Sequence, residues 1–131
     1  MAYQVSGFSS TLTAGADLSA KQFYFVKISA ANTVTVCAAA TDIPCGVLQN
    51  APESGEAANV MHYGISKVSS NAAITAADLI GTSSDGQAVT ADPDGSAEAY
   101  YVGQAITTST AAGGLISALI DCAAPVLTAG S

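Results

Sequence analysis

His62 is the only imidazole in 131 residues and the one side chain whose ordinary titration falls near neutral pH. A nucleophilic triad would need a hydroxyl or thiol on one ring nitrogen and an acid on the other. Nothing adjacent in sequence supplies either, and no Gly-x-Ser-x-Gly elbow occurs. His62 shares a strand face with Val60 and Gly64, so it is assigned a structural or surface role. Cys37, Cys45 and Cys122 are odd in number and lack a Cys-x-x-Cys pair or a nearby His. They are expected to be free, partly buried thiols that pack as small hydrophobes. Asp92, Asp94 and Glu98 surround Gly95 as in a calcium loop, but the spacing does not fit an EF-hand, and Asp94-Gly95 after Pro93 reads as a tight turn. No phosphate-binding Gly-x-x-x-x-Gly-Lys-Ser/Thr is present. Two of the ten carboxylates could in principle work as glycosidase acid and base, yet no spacing brings a pair together and aromatic platforms are few. The expectation is no catalytic residue, no metal, no cofactor and no enzyme.

Charge narrows the partners. Only 10% of residues are charged, no Arg occurs, and the formal net charge is −7. Lys21, Lys27 and Lys67 are too scattered to displace counterions from phosphate, so neither nucleic acid nor an anionic membrane is an expected partner. Met1 to Ser6 have no basic n-region or apolar h-region, so no secretory signal is expected and a start in the cytoplasm is. The longest apolar stretch, Leu115 to Leu127, contains Asp121 and Pro125 and is shorter than the roughly 20 residues of a membrane-spanning helix. Half of the residues are hydrophobic, but many are Ala and only 6% are aromatic. Small side chains remove little area from water, at about 25 cal/mol per Å², so the core is modest and self-association would add burial.

One pattern occurs twice: glycine, short apolar strand, Gly-rich or polar turn, second strand. It runs first from Gly46 to Asn50, through Pro52 to Glu56, into Ala58 to Ile65 and on to Val68. It returns as Val102 to Ile106, Gly113-Gly114 and Leu115 to Ile120. Gln22 to Ile28, aromatic and β-branched with apolar groups on both faces, predicts a central or doubly covered strand. Thr33-Val34-Thr35-Val36-Cys37 alternates as its hairpin partner. One helical turn is predicted at Ile74 to Ile80, where Thr75 precedes Asp78 by three residues. Ser84 to Gln87 and Asp92 to Gly95 are turns around a strand Ala88 to Ala91. The fold class is all-β: a small barrel or sandwich of about six to eight short strands. Three parts are expected: an extended N-terminal arm over 1–20, a β-barrel domain over 21–122 and a C-terminal tail over 123–131. Within the arm, Tyr3, Val5, Phe8 and Leu12 are the candidate contacts to a neighbouring subunit.

The run Asp42 to Ala51, then Gly55 to Val60, then Gly64 to Val68 resembles the tailed-bacteriophage capsid decoration, or head cement, proteins, with their cadence of Gly-Val, Gly-Glu, strand and Gly. Ile74 to Asp78, Asp85-Gly86, Val102 to Ala105 and Leu115 to Ile120 continue it, over about residues 18 to 122. The Ala, Ser and Thr richness and the residues before Leu18 depart from that pattern. The resemblance implies a structural virion protein on the outer capsid surface, a β-barrel homotrimer whose partner is the major capsid protein and which stabilises the mature head. An extracellular adhesion or carbohydrate-binding β-sandwich is the alternative, and another virion part, such as a tail-tube or fibre-base protein, is a third.

Overall fold

The computed structural model describes residues 2–91 and 99–127. The expected turn around Asp92 to Gly95, the candidate loop with Glu98 and the end of the tail lie outside the described residues.

Ten strands follow in chain order: β1 Val5–Ala14, β2 Phe25–Ala30, β3 Thr33–Val36, β4 Gly46–Leu48, β5 Ala57–Ser69, β6 Leu79–Thr82, β7 Ala88–Thr90, β8 Tyr100–Ala105, β9 Leu115–Asp121 and β10 Val126–Leu127. The β2–β3 hairpin turns at Asn32, whose φ of +54° is one that Asn tolerates. Both repeated units are antiparallel hairpins, β4–β5 and β8–β9, as expected.

β5 organises everything else. β1 runs antiparallel along one of its edges, from Thr13 opposite Ala57 to Val5 opposite Ile65. The other edge takes β4 at Val60 and Met61, then β9 from Tyr63 to Ser69. Because β1 also pairs in parallel with β3, the path β1–β3–β2–β4–β5 closes on itself as a five-stranded ring. Beyond the ring, β5–β9–β8–β6–β7 continues as an open sheet. The result is sandwich-like and all-β, with one end closed. Leu12 and Ala14, Val26, Val34 and Val36, Leu48, and Ala58 and Val60 come one strand each or more from all five ring strands and fill its interior with Leu18. Phe25, Val47 and Met61 line up across β2, β4 and β5 in the second core, against Ile80, Val102, Ile116 and Ile120 of the open sheet. That is why β2 is apolar on both faces: Phe25 enters one core and Val26 the other, both fully buried.

Two expectations need revising. No helix occurs among the described residues, and the predicted helical turn is a β-turn at Thr75–Asp78. The donors a helix would keep go elsewhere: Ile74 N–H to Ser109 O and Ala77 N–H to Ala105 O, both 2.8 Å. The Asp78 carboxylate accepts from Thr75 N–H at 3.0 Å and from the Thr90 hydroxyl at 3.1 Å, so Leu79 can start β6. The segment expected as an arm carries β1, a strand of the chain's own sheet. Its register shifts between Val5 and Phe8 and again between Phe8 and Ser9, and these irregularities break the alternation that would have marked a strand in the sequence.

The first irregularity depends on Gly7 and Gly64. Gly64 has φ +138°, and a Cβ on either residue would press on the other's backbone. Gly64→Ala should therefore lower unfolding free energy by about 1–3 kcal/mol. Gly55→Ala, at φ +84° but facing open space, should cost about 1 kcal/mol. Urea unfolding of both checks the order.

Candidate functional site

The exposed side chains of β1 and β5 differ in character between the two ends of the molecule. At the ring end they are polar: Ser9, Thr11 and Thr13 of β1 are exposed, opposite or beside Asn59 and Ala57 of β5. At the open-sheet end the same two strands turn apolar. Val5 lies opposite Ile65, Ile65 opposite Leu119, Leu119 opposite Gln104 and Gln104 opposite Leu79, one in-register row across β1, β5, β9, β8 and β6. Phe8 opposite Tyr63 forms the next rung, with Asp121 beyond. Phe8 is 67% exposed, Tyr63 51% and Leu119 45%. Tyr3 lies over Ser117, whose hydroxyl donates to Tyr3 O at 2.6 Å and receives Tyr3 N–H. These exposed apolar side chains cluster on neighbouring strands, as an interaction surface does.

A groove of about 200 Å³ opens on this face between Leu79, Tyr101, Gln104, Leu119, Ala124 and Val126. It exists because the chain turns at Asp121–Ala124 and β10 returns to pair with Tyr101 and Tyr100 of β8. A second concavity, about 510 Å³, lies between Phe8, Tyr63, His62, Cys45, Ile28 and Cys122.

Of the residues singled out by sequence, Tyr3, Val5 and Phe8 sit together on the apolar face, while Leu12 turns half-buried into the ring core. Tyr63, Ile65, Leu79 and Leu119 complete the face and were not singled out. A signal existed: β9 carries Ile116, Ala118 and Ile120 on its inward row and also Leu115 and Leu119 on the row that alternates with it.

His62 is not isolated. Its Nδ1 lies 2.6 Å from Cys45 O and donates there, and its Nε2 lies 2.6 Å from the Ser10 hydroxyl, from which it accepts in the neutral ring. Ser10 is 52 residues away in sequence, so only the β1–β5 pairing brings the two together. The Phe8 ring stands 5.6 Å from the imidazole. A hydroxyl beside a base is the start of a nucleophilic array, but the orienting third group is a backbone carbonyl, not a carboxylate. What the imidazole does here is tie β1, β4's entry segment and β5 at one seam.

All three cysteines are free. Burial pushes the Cys37 thiol up to about 12, with the nearby Asp42 charge adding to it, and burial raises Cys45 to about 11. Burial also raises Cys122. Asp42 is held below its ordinary value chiefly by the Lys27 ammonium, 2.9 Å away, and by the Ala38 N–H. No group of three or more metal-ligating side chains occurs among the described residues. Other acidic side chains project from turns: Asp17, Glu53 and Glu56 at the ring end, where Gly55 N–H bonds to Ala14 O, and Asp85 in the β6–β7 turn.

No family model matches the chain, and no curated protein matches it significantly. Among solved structures it is similar to the N base of the head fiber gp8.5 of bacteriophage phi29, with a TM-score of 0.67 and 23% identity over 88% of this chain and 94% of that one. The two share a fold.

Two outcomes follow from this geometry. A thiol reagent at pH 8 should label the folded chain at least a hundredfold more slowly than a free cysteine, because raised values leave little thiolate, and should label all three cysteines after denaturation. His62→Ala should lower urea stability by about 1–2 kcal/mol and Ser10→Ala by about 1. Ester turnover by the wild-type chain that disappears in both variants would instead make the pair catalytic.

Proposed function

We propose that this protein is a structural virion component that attaches to the outside of a tailed-phage head as a homotrimer and stabilises the mature shell. Its partners on this reading are the major capsid protein and further copies of itself. The supporting observation is the fold held in common with the base of a phage head fiber. The apolar face and the acidic, Arg-free surface accord with protein partners rather than phosphate. On this reading the chain is not an enzyme and needs no cofactor.

Attachment by an oligomer is multivalent. Once one subunit is bound, the others engage intramolecularly, so weak single contacts sum to avid binding. A protein that binds the mature lattice and not its opened form then stabilises that lattice by mass action. A second reading, a base that carries a fibre on the head, draws on the same similarity and shares the attachment step.

Mature heads mixed with the purified chain should retain it on sedimentation and should rupture at a higher temperature than bare heads. Each chain carries −7, so salt should screen repulsion between neighbours while leaving apolar contacts intact. Occupancy should hold or rise between about 0.05 and 0.5 M salt, where a phosphate binder would lose affinity steeply. Equal rupture temperatures, or a tenfold fall in affinity with salt, would count against the reading.

A further inference from the structure

An acidic chain can approach its own copy closely only where its carboxylates are absent. On the two apolar rungs the charged positions are Asp121 and, on the next rung of β5, Lys67, of opposite sign. Among the described residues, Asp17, Glu53, Glu56 and Asp85 lie outside the strands. The exposed portions of Tyr3, Val5, Phe8, Tyr63, Leu119 and Val126 amount to roughly 600 Å², against the ~800 Å² that each partner buries in a standard interface. Two such faces together would bury about 1,200 Å², the low end of specific interfaces, and among the described residues Asp121, which also lines the groove, is the carboxylate on the face, with Lys67 one rung away.

Its relief is also complementary. Phe8 is the most exposed apolar side chain among the described residues and stands at the β1 margin. The groove at the β9–β8–β6 margin is lined almost entirely by apolar surface, and a cavity of about 150 Å³ is enough for one benzene ring. Knob and groove lie two to three strands apart, roughly 10–14 Å at the usual strand spacing, so a chain cannot seat its own ring.

We propose that copies of this chain meet through the outer face of the open sheet, with Phe8 of one copy seated in the groove formed by Leu79, Tyr101, Gln104, Leu119, Ala124 and Val126 of another. The partner copy completes the groove, and the groove leaves water only in the assembly. Reciprocal exchange between two copies closes as a two-fold pair; giving to one neighbour and taking from another closes as a ring of three or more. The proposal stands on this face alone and not on attachment to heads.

The test is sedimentation velocity on the purified chain. The wild type should run as a closed oligomer, and Phe8→Ser and Leu119→Lys should each run as monomers with melting temperatures within a few degrees of wild type. An equimolar mixture of the two variants should regain a mixed complex, because the Leu119→Lys copy still offers Phe8 and the Phe8→Ser copy still offers an intact groove. Val126→Asp, at the groove's far wall, serves as a second groove variant if Leu119→Lys does not fold. A monomeric wild type at about 100 μM, oligomers that survive both Phe8→Ser and a groove variant, or a mixture that stays monomeric would each overturn the proposal. Heads are absent from this experiment, so its outcome is independent of whether the chain decorates them.

Discussion

The structure depends on one strand doing two jobs. Over its thirteen residues β5 has β1 on one edge and β4 followed by β9 on the other, so it closes the ring with its first half and founds the open sheet with its second. Ala58 and Val60 point into the ring, while Met61 belongs to the other core. To serve both, β5 must shift register where the two halves join. The shift falls at His62 to Gly64, where His62 binds Ser10 and Cys45 O and where Gly64 meets Gly7. Hydrogen bonds and close backbone approach fix that joint, and the apolar cores on either side bury its neighbours.

This arrangement explains why the outer face is exposed. The open sheet uses one face to cover Phe25, Val47 and Met61 on the ring's outside, and of the described chain the segment at Tyr3 and Gln4 lies over part of its other face, at Ser117 and Lys67. Tyr3, Val5 and Phe8 reach that face only because β1 extends past the ring along β5. The exposed Ser and Thr rows on the ring and the exposed apolar rows on the open sheet lie on the same two strands, so the boundary between polar and apolar exposed surface coincides with the joint.

Legibility in the sequence followed how local each pairing is. β2–β3, β4–β5, β7 and β8–β9 join neighbours in the chain, and alternation with turn residues marks them. The ring closure was hidden, since Thr13 lies in a Ser/Thr-rich segment with no apolar period, and the alternation from Thr33 to Val36 marks a strand without naming its second, parallel partner. At Ile74 to Ile80 local propensity pointed to a helical turn, and tertiary pairing with Ser109 and Ala105 prevailed. For the candidate face, Tyr3, Val5 and Phe8 stood out as spaced apolar residues in a polar stretch. Tyr63, Ile65 and Leu119 did not, because a strand apolar on both rows does not say which row the fold will cover. The partner of His62 was invisible for the same reason as the ring: Ser10 lies a whole strand pairing away.

The central claim is that the outer face of the open sheet is the surface through which this chain meets its partners. Hydroxyl-radical footprinting, comparing the isolated monomeric Phe8→Ser variant with the wild-type assembly, reads that face directly. The account predicts that Tyr3, Tyr63 and Leu119 become protected in the assembly while Asp17 to Leu18 and Pro52 to Glu56 keep their reactivity. Unchanged oxidation at Tyr63 and Leu119, with protection confined to the acidic turns, would contradict it.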